Sequence, residues 1–226
     1  MEYTDKEYCL DVQGEFACFT RPELKVERVS YDVITPSAAR AIYESIFWKP
    51  AIHWQITKIE VINPIIWASI RRNEVGTVAK KSPFYIEDKR QQKNSLILKN
   101  VHYRIWAKME YRSVKKRILD HDIFAHEPGC DENPMKYYQM FERRASNGQC
   151  FNQPYLGTRE FAANFRLVDT INEDLIPALD ETKDLGIMLY DMDFSDPKNT
   201  QAMFFRAKMN NGVIIVPPLN SEEILK

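Results

Sequence analysis

The sequence predicts an α+β fold, two helices packed on a mainly antiparallel sheet. Three observations carry this. The dipeptides Thr35-Pro36 and Asn133-Pro134 each open a run with helical spacing of apolar residues. The segments around them alternate polar and apolar with period two, most clearly from Leu96 to Tyr111. Near the C-terminus, short apolar runs flank the hairpin signal Asn210-Asn211-Gly212.

Taken in order, Glu7 to Phe19 alternates loosely and reads as the first, central strand, followed by a charged loop from Thr20 to Ser30. Thr35-Pro36 supplies an N-cap and a proline at the first helical position, where a missing N–H costs nothing. Ala38, Ala39, Ile42 and Ile46 recur along the helix, and Trp48-Lys49-Pro50 ends it. Ile52, Trp54, Ile56, Ile59 and Val61, then Ile65 to Ile70, give two strands broken at Asn63-Pro64. Arg71 to Ser95 has no sustained period and reads as a long basic loop. In the next strand, Val101, Tyr103, Ile105, Ala107 and Met109 alternate with His102, Arg104, Trp106, Lys108 and Glu110, one side apolar and the other charged. Arg112 to Glu132 is irregular. Asn133-Pro134 opens a helix through Ser146 with Gly148 as its stop, and Arg159 to Val168 reads as a closing strand.

The order strand–helix–strands–strand–helix–strand points to a ferredoxin-like, RNA-recognition-type sandwich over residues 1–170, with the basic loop 71–95 inserted. Beyond an acidic spacer, Gly186 to Phe194, Met203 to Met209 and Val213 to Pro217 predict a small antiparallel sheet as a C-terminal extension over 171–226.

Composition narrows the class. No apolar run approaches the ~20 residues that span a bilayer, and the start MEYTDKEY is acidic, unlike a signal peptide, so a cytoplasmic protein without membrane contact is expected. Cys9, Cys18, Cys130 and Cys150 are scattered, which suits reduced thiols rather than a disulfide frame. The net charge of −1 conceals blocks. From Arg71 to Arg117 the balance is about +10, against about −3 before it and about −8 after it. One face can therefore attract a polyanion although the whole chain does not; a solvated loop is the competing account.

Several runs resemble a known family: CFTRPELKVERVSYDVITPSAARAIYESIFWKPAI from Cys18, IRRNEV from Ile70, LGTREF from Leu156 and DLGIMLYDMDF from Asp184. They are similar to the CRISPR-associated Cas-five family of subtype I-C, the Dvulg subtype. The resemblance spans nearly the whole chain in order. It implies cleavage of CRISPR repeat RNA at the base of a hairpin, without metal or other cofactor. The ribose 2′-OH attacks the neighbouring phosphate and leaves a cyclic phosphate. That reaction needs a base, a proton for the leaving oxygen and a cation for the added negative charge.

The resemblance places these roles on an aromatic or histidine of an I-x-W-K-P motif and on a Lys-His pair in the second helix. Carried across, they fall on Phe47 and on Lys136-Tyr137. The lysine is present, whereas Phe47 moves no proton and Tyr137, a phenol with reference pKa ~10, donates but is a poor base near neutrality. Lys136 would stabilise the phosphorane and Tyr137 or Tyr138 serve as acid; the base is Lys136 itself or a group from elsewhere. A second implied role is binding the 5′ handle of the crRNA with little or no cutting, as a subunit beside the backbone and large subunits of the subtype I-C interference complex. The nuclease reading is preferred because the resemblance implies a system without a separate Cas-six processing enzyme.

Cations at turns are the expected grip on RNA: Arg21, Lys25 and Arg28 after the first strand, Lys49 in the motif, Arg71, Arg72, Lys89, Arg90 and Lys93 in the basic loop, and Arg159 after Gly157. Arg143 and Arg144 serve either RNA or the helix C-terminus. Gly157 is expected to let backbone approach the RNA. His53, His102, His121 and His126 read as ordinary surface or core histidines. A zinc site on His121, His126 and Cys130 lacks a fourth ligand at recognisable spacing, and no metal is expected.

Overall fold

The computed structural model describes residues 6–78, 82–112, 133–169, 173–194 and 200–226. Its strands are β1 Lys6–Ala17, β2 Ile52–Val61, β3 Ile66–Val75, β4 Arg90–Tyr111, β5 Asn164–Leu167, β6 Lys183–Asp193, β7 Gln201–Asn210, β8 Val213–Ile215 and β9 Ile224–Leu225. Its helices are α1 Pro36–Ile46 and α2 Pro134–Ser146. Both helices start as their capping residues dictate. Thr35 Oγ1 accepts from the Ala38 N–H at 3.3 Å, and Asn133 Oδ1 accepts from the Met135 N–H at 3.0 Å. Gly148, at φ 63°, follows α2 in the left-handed conformation that ends helices.

All described strands join one antiparallel sheet in the order β5-β1-β4-β2-β8-β7-β6, with β3 also on β4 and β9 on β7. The central pair β1–β4 runs from Lys6↔Met109 to Ala17↔Leu98. The C-terminal strands continue this sheet, because β8 pairs with β2 through Lys58↔Ile215 and Glu60↔Val213. Arg40 on α1 forks onto Asp191 on β6 with two 2.8 Å bonds, which holds the C-terminal strands against that helix.

Two expectations need correction. The stretch Arg71 to Ser95 is not a long loop. Its two ends pair in a hairpin, with Arg71↔Asn94 and Val75↔Arg90 in register. Every β3 residue is exposed or only half-buried, so no apolar period exists to announce the strand. The closing strand is only Asn164–Leu167; the residues before it form a turn in which the Leu156 N–H bonds the Phe161 carbonyl at 2.7 Å. The two-residue β9 carries no legible pattern at all.

The core lies between the helices and one face of the sheet. Tyr8, Tyr43, Trp54 and Phe141 cluster there, with Phe141 centred 4.6 Å from Trp54 and 4.8 Å from Tyr8. The buried Tyr43 hydroxyl donates to the carbonyls of Tyr8 and Ile105 at 3.0 and 2.7 Å, which ties α1 to the two central strands.

Several groups on the polar side of β4 are paired within the protein, although the buried Trp106 indole N–H has no hydrogen-bond partner among the described residues. Arg104 pairs with Glu60 at 2.7 Å, Lys58 sits 4.0 Å over the Trp106 ring, and His102 Nε2 meets both Asp11 oxygens at 3.0 Å. Burial alone would push the Asp11 carboxyl up, but hydrogen bonds from His102 and Gln13 outweigh it and hold it below its usual range. A carboxylate depressed in the folded state gives stability that is complete above its unfolded value, ~4, and is lost as pH falls through the folded value. Thermal melts should therefore show Tm dropping below about pH 4, and Asp11→Asn should flatten that limb. An equally steep limb in both proteins would remove this pair from the acid response.

Candidate functional site

Phe47 caps the C-terminus of α1 and is fully buried. Its N–H bonds the Tyr43 carbonyl at 3.0 Å, and its own carbonyl accepts from the Trp54 indole at 2.9 Å. The ring lies 6.3 Å from that of Tyr137 and 5.2 Å from the Arg144 guanidinium, whose Nη1 donates to the Ile46 carbonyl at 3.1 Å. Phe47 thus forms the floor beneath Tyr137 and does not face solvent, so the aromatic of the motif is a support here and not a reacting group.

Tyr137 is half-buried between Phe47 and Tyr111, each ring 6.3 Å away. Tyr138 is buried against the core. Lys136 is exposed in the first turn of α2. The N–H groups around it are already used, Met135 by the Asn133 side chain and Lys136 by the Asn133 carbonyl at 3.0 Å. An anion arriving at this turn therefore meets the ammonium rather than a row of free amides. Arg143, seven residues on, shares the exposed side of the helix with Lys136. The chain thus brings Phe47 and Tyr137 together from elements far apart in sequence, with Lys136 exposed one residue before Tyr137. They offer a cation and a phenol on an apolar floor, two of the three things an attack by a 2′-OH requires.

The expected RNA-gripping cations divide into two groups. Arg21 stacks 4.4 Å over the Tyr31 ring and pairs with Asp32 at 3.3 Å. Arg28, at φ 52°, reaches Glu160 at 3.1 Å and Glu74 at 3.6 Å. Arg72 binds Ser95 Oγ at 2.6 Å and also pairs with Glu74. The hydrogen bond from Lys93, with the charge of Arg72, holds the Glu74 carboxyl below its usual range. Arg21, Arg28, Arg72 and Arg144 are thus each held by an acid or a carbonyl of the protein. Lys25, Lys49, Arg71, Arg90, Arg143 and Arg159 are exposed and form no ion pair with a described residue. Their charges are not offset by a described acid.

Gly157 has a different reason from the one expected. A Cβ there would lie 2.1 Å from the Cys18 carbonyl oxygen, so the glycine is required by its packing on the end of β1. The Leu156 carbonyl accepts from the Cys18 N–H at 3.0 Å in the same contact. Beside this turn a groove of about 980 Å³ runs between α1 and the 151–159 segment. Phe151 and Tyr155 line it, exposed by 79% and 39%, and the sequence pattern did not single them out because exposed loop aromatics have no period.

His102 belongs to the Asp11 pair, and His53 lies on β2. His121, His126 and Cys130 fall outside the described residues. Among the described residues, no group of three or more His, Cys, Asp or Glu is placed to hold a metal, and no helix is long and apolar enough to cross a membrane.

The family model for the CRISPR-associated protein Cas5, in its Cas5d form, matches residues 7–217. The chain is 46% identical to the CRISPR pre-crRNA endoribonuclease Cas5d of Mannheimia succiniciproducens, covering 95% of this chain and 96% of that protein. It is 38% identical to the protein of the same name from Thermus thermophilus, covering 95% and 93%. Among solved structures, a CRISPR-associated protein superposes with a TM-score of 0.71 over the full length of both chains at 22% identity. A chain of a CRISPR RNA-guided surveillance complex superposes at 0.52 and 11% identity, covering 94% of this chain and 90% of that one. These two likenesses concern the fold.

Proposed function

The chain belongs to the CRISPR-associated Cas5 family, and on that premise we propose that it is a pre-crRNA endoribonuclease that cuts CRISPR repeat RNA at the base of its hairpin. The observation that carries the proposal is the half-buried Tyr137 ring beside the buried Phe47, with Lys136 exposed one residue before it in the first turn of α2, in a chain 46% identical to a protein of that name. As the 2′-OH attacks, its proton passes to a base other than the charged Lys136, Lys136 neutralises the charge that builds on the phosphorane, and Tyr137 gives its proton to the departing 5′ oxygen. The product is a cyclic phosphate. The reaction needs no metal, because the cation is a side chain.

The finer parts of the reading follow from the same arrangement. The strand order β5-β1-β4-β2, with α1 and α2 on one face, supports a ferredoxin-like, RNA-recognition-type unit over 1–170, and β6 to β9 an extension over 171–226. We assign the chain to subtype I-C, where it stays on the 5′ handle and joins the backbone and large subunits of the interference complex. The β3–β4 ribbon supports a partner surface, since Trp67, Tyr85 and Ile86 stand exposed along it and its tip. The second reading, a handle-binding subunit with little cutting, is favoured by one observation: Phe47 supplies no group for proton transfer at a position where the resemblance expects one.

The two readings separate when purified protein is incubated with its repeat RNA in EDTA. Cleavage that persists and leaves a cyclic phosphate supports the enzyme, whereas tight binding to intact RNA supports the subunit. Binding should weaken steeply with salt, log K falling linearly with log[salt] as phosphate contacts release counterions. A flat salt dependence would remove Lys25, Lys49, Arg71, Arg90, Arg143 and Arg159 from the RNA surface.

A further inference from the structure

We infer that the cavity lined by the β3–β4 ribbon and the 158–161 turn holds one unstacked RNA base, whose carbonyl edge accepts from Arg72. This rests on the reading of the chain as an RNA-cleaving enzyme and adds a place where it reads a single base. The cavity has a volume of about 400 Å³. Ile70 and Arg72 of β3 and Ser95 and Ile97 of β4 line it, with Phe161 from the turn. Arg72 brings a donor to spare. Its Nε donates to Ser95 Oγ at 2.6 Å and its Nη1 pairs with Glu74. Its Nη2 is buried and has no hydrogen-bond partner among the described residues. A buried guanidinium nitrogen left unpaired costs free energy, and a ligand that brings an acceptor removes that cost.

Shape and charge choose the occupant. The volume lies in the range of sites that enclose a small organic molecule and exceeds what a phosphate group fills. Ile70, Ile97 and Phe161 are apolar walls suited to the faces of a flat ring. Glu74 and Glu160 also line the cavity, and they hold Arg28 at 3.6 and 3.1 Å. Their carboxylates repel a phosphate and equally an acidic side chain from a protein partner. A neutral base meets no such repulsion. Arginine pairs with a base most readily through a ring carbonyl, which guanine, uracil and cytosine possess and adenine lacks. An unpaired nucleotide can splay its base into such a cavity, whereas a paired stem keeps its bases stacked.

The test uses the full chain and the labelled repeat RNA with its single-stranded flanks, read by fluorescence anisotropy. In a set of RNAs that each carry one abasic nucleotide, loss of the enclosed base should weaken wild-type binding about fivefold to a hundredfold. Arg72→Lys keeps the charge without the guanidinium fork, and Ile70→Trp fills the cavity from a half-buried strand position. Both should bind intact RNA more weakly than the wild type, and at that one position the abasic change should cost them little further. Hypoxanthine there should bind wild type more tightly than adenine, from which it differs by a carbonyl in place of the amino group. Melting curves check that each variant is folded. Variants that lose as much as the wild type at every abasic position overturn the inference. So does wild-type affinity in both folded variants, which would leave the cavity to a protein partner. Adenine bound as tightly as hypoxanthine overturns the carbonyl contact. A wild-type chain that neither binds nor cuts the intact repeat would overturn the nuclease reading itself.

Discussion

Lys136→Ala should lower the rate of repeat-RNA cleavage in EDTA by about 10²–10⁴-fold, while Tm stays within the scatter of an exposed substitution. The side chain stands in the open on the first turn of α2 and forms no ion pair with a described residue, so its removal leaves the packing alone. What is lost is the charge that meets the phosphorane. Arginine keeps a charge but not the compact ammonium, so Lys136→Arg should recover part of the rate if the role is electrostatic and little if the amine also accepts the 2′-OH proton. RNA affinity should fall only modestly, with the salt slope reduced by about one, as for a single phosphate contact. Single-turnover rates at saturating protein give the comparison. An unchanged rate in the alanine variant would place the chemistry elsewhere.

The second large effect is on stability. Gly157→Ala should destabilise the protein by about 2–5 kcal/mol, the sum of a left-handed backbone that alanine resists and a forced contact with main chain. The position has φ 86°, and its new methyl would lie 2.1 Å from the Cys18 oxygen and 2.6 Å from the Cys18 carbonyl carbon. Neither is the end of a flexible side chain, so relief requires the turn to leave β1. Gly148 is the control. It also has a positive φ, 63°, but nothing lies within 4 Å of an added Cβ. Gly148→Ala should therefore cost only the backbone share, about 1–2 kcal/mol. At about 2–4 °C per kcal/mol for a chain of this size, the two variants separate clearly in a melt. Equal losses would mean the steric contact contributes nothing.

How much of this was legible without coordinates depends on whether the signal is local. α1 and α2 were announced by Thr35-Pro36 and Asn133-Pro134, because capping and proline placement act within one turn. The central half of β4 was announced by its alternation, because Val101, Tyr103, Ile105, Ala107 and Met109 are buried on one face. The β3–β4 hairpin was missed for the converse reason: most of its residues stay exposed on both faces, so pairing left no period.

The site divides along the same line. Sequence alone determined which residue types stand at the motif positions: a lysine at 136, a phenol at 137 and a phenylalanine at 47 that moves no proton. Only the tertiary structure decided that Phe47 is a buried floor, that Arg21, Arg28, Arg72 and Arg144 are held by partners within the protein, and that Phe151 and Tyr155 open onto the groove beside Trp48. Residue identity sets what a group can do. Whether it faces a substrate is set by neighbours brought from distant parts of the chain, such as Glu160 for Arg28 and Ile46 for Arg144, and long-range contact of that kind has no period or spacing to read.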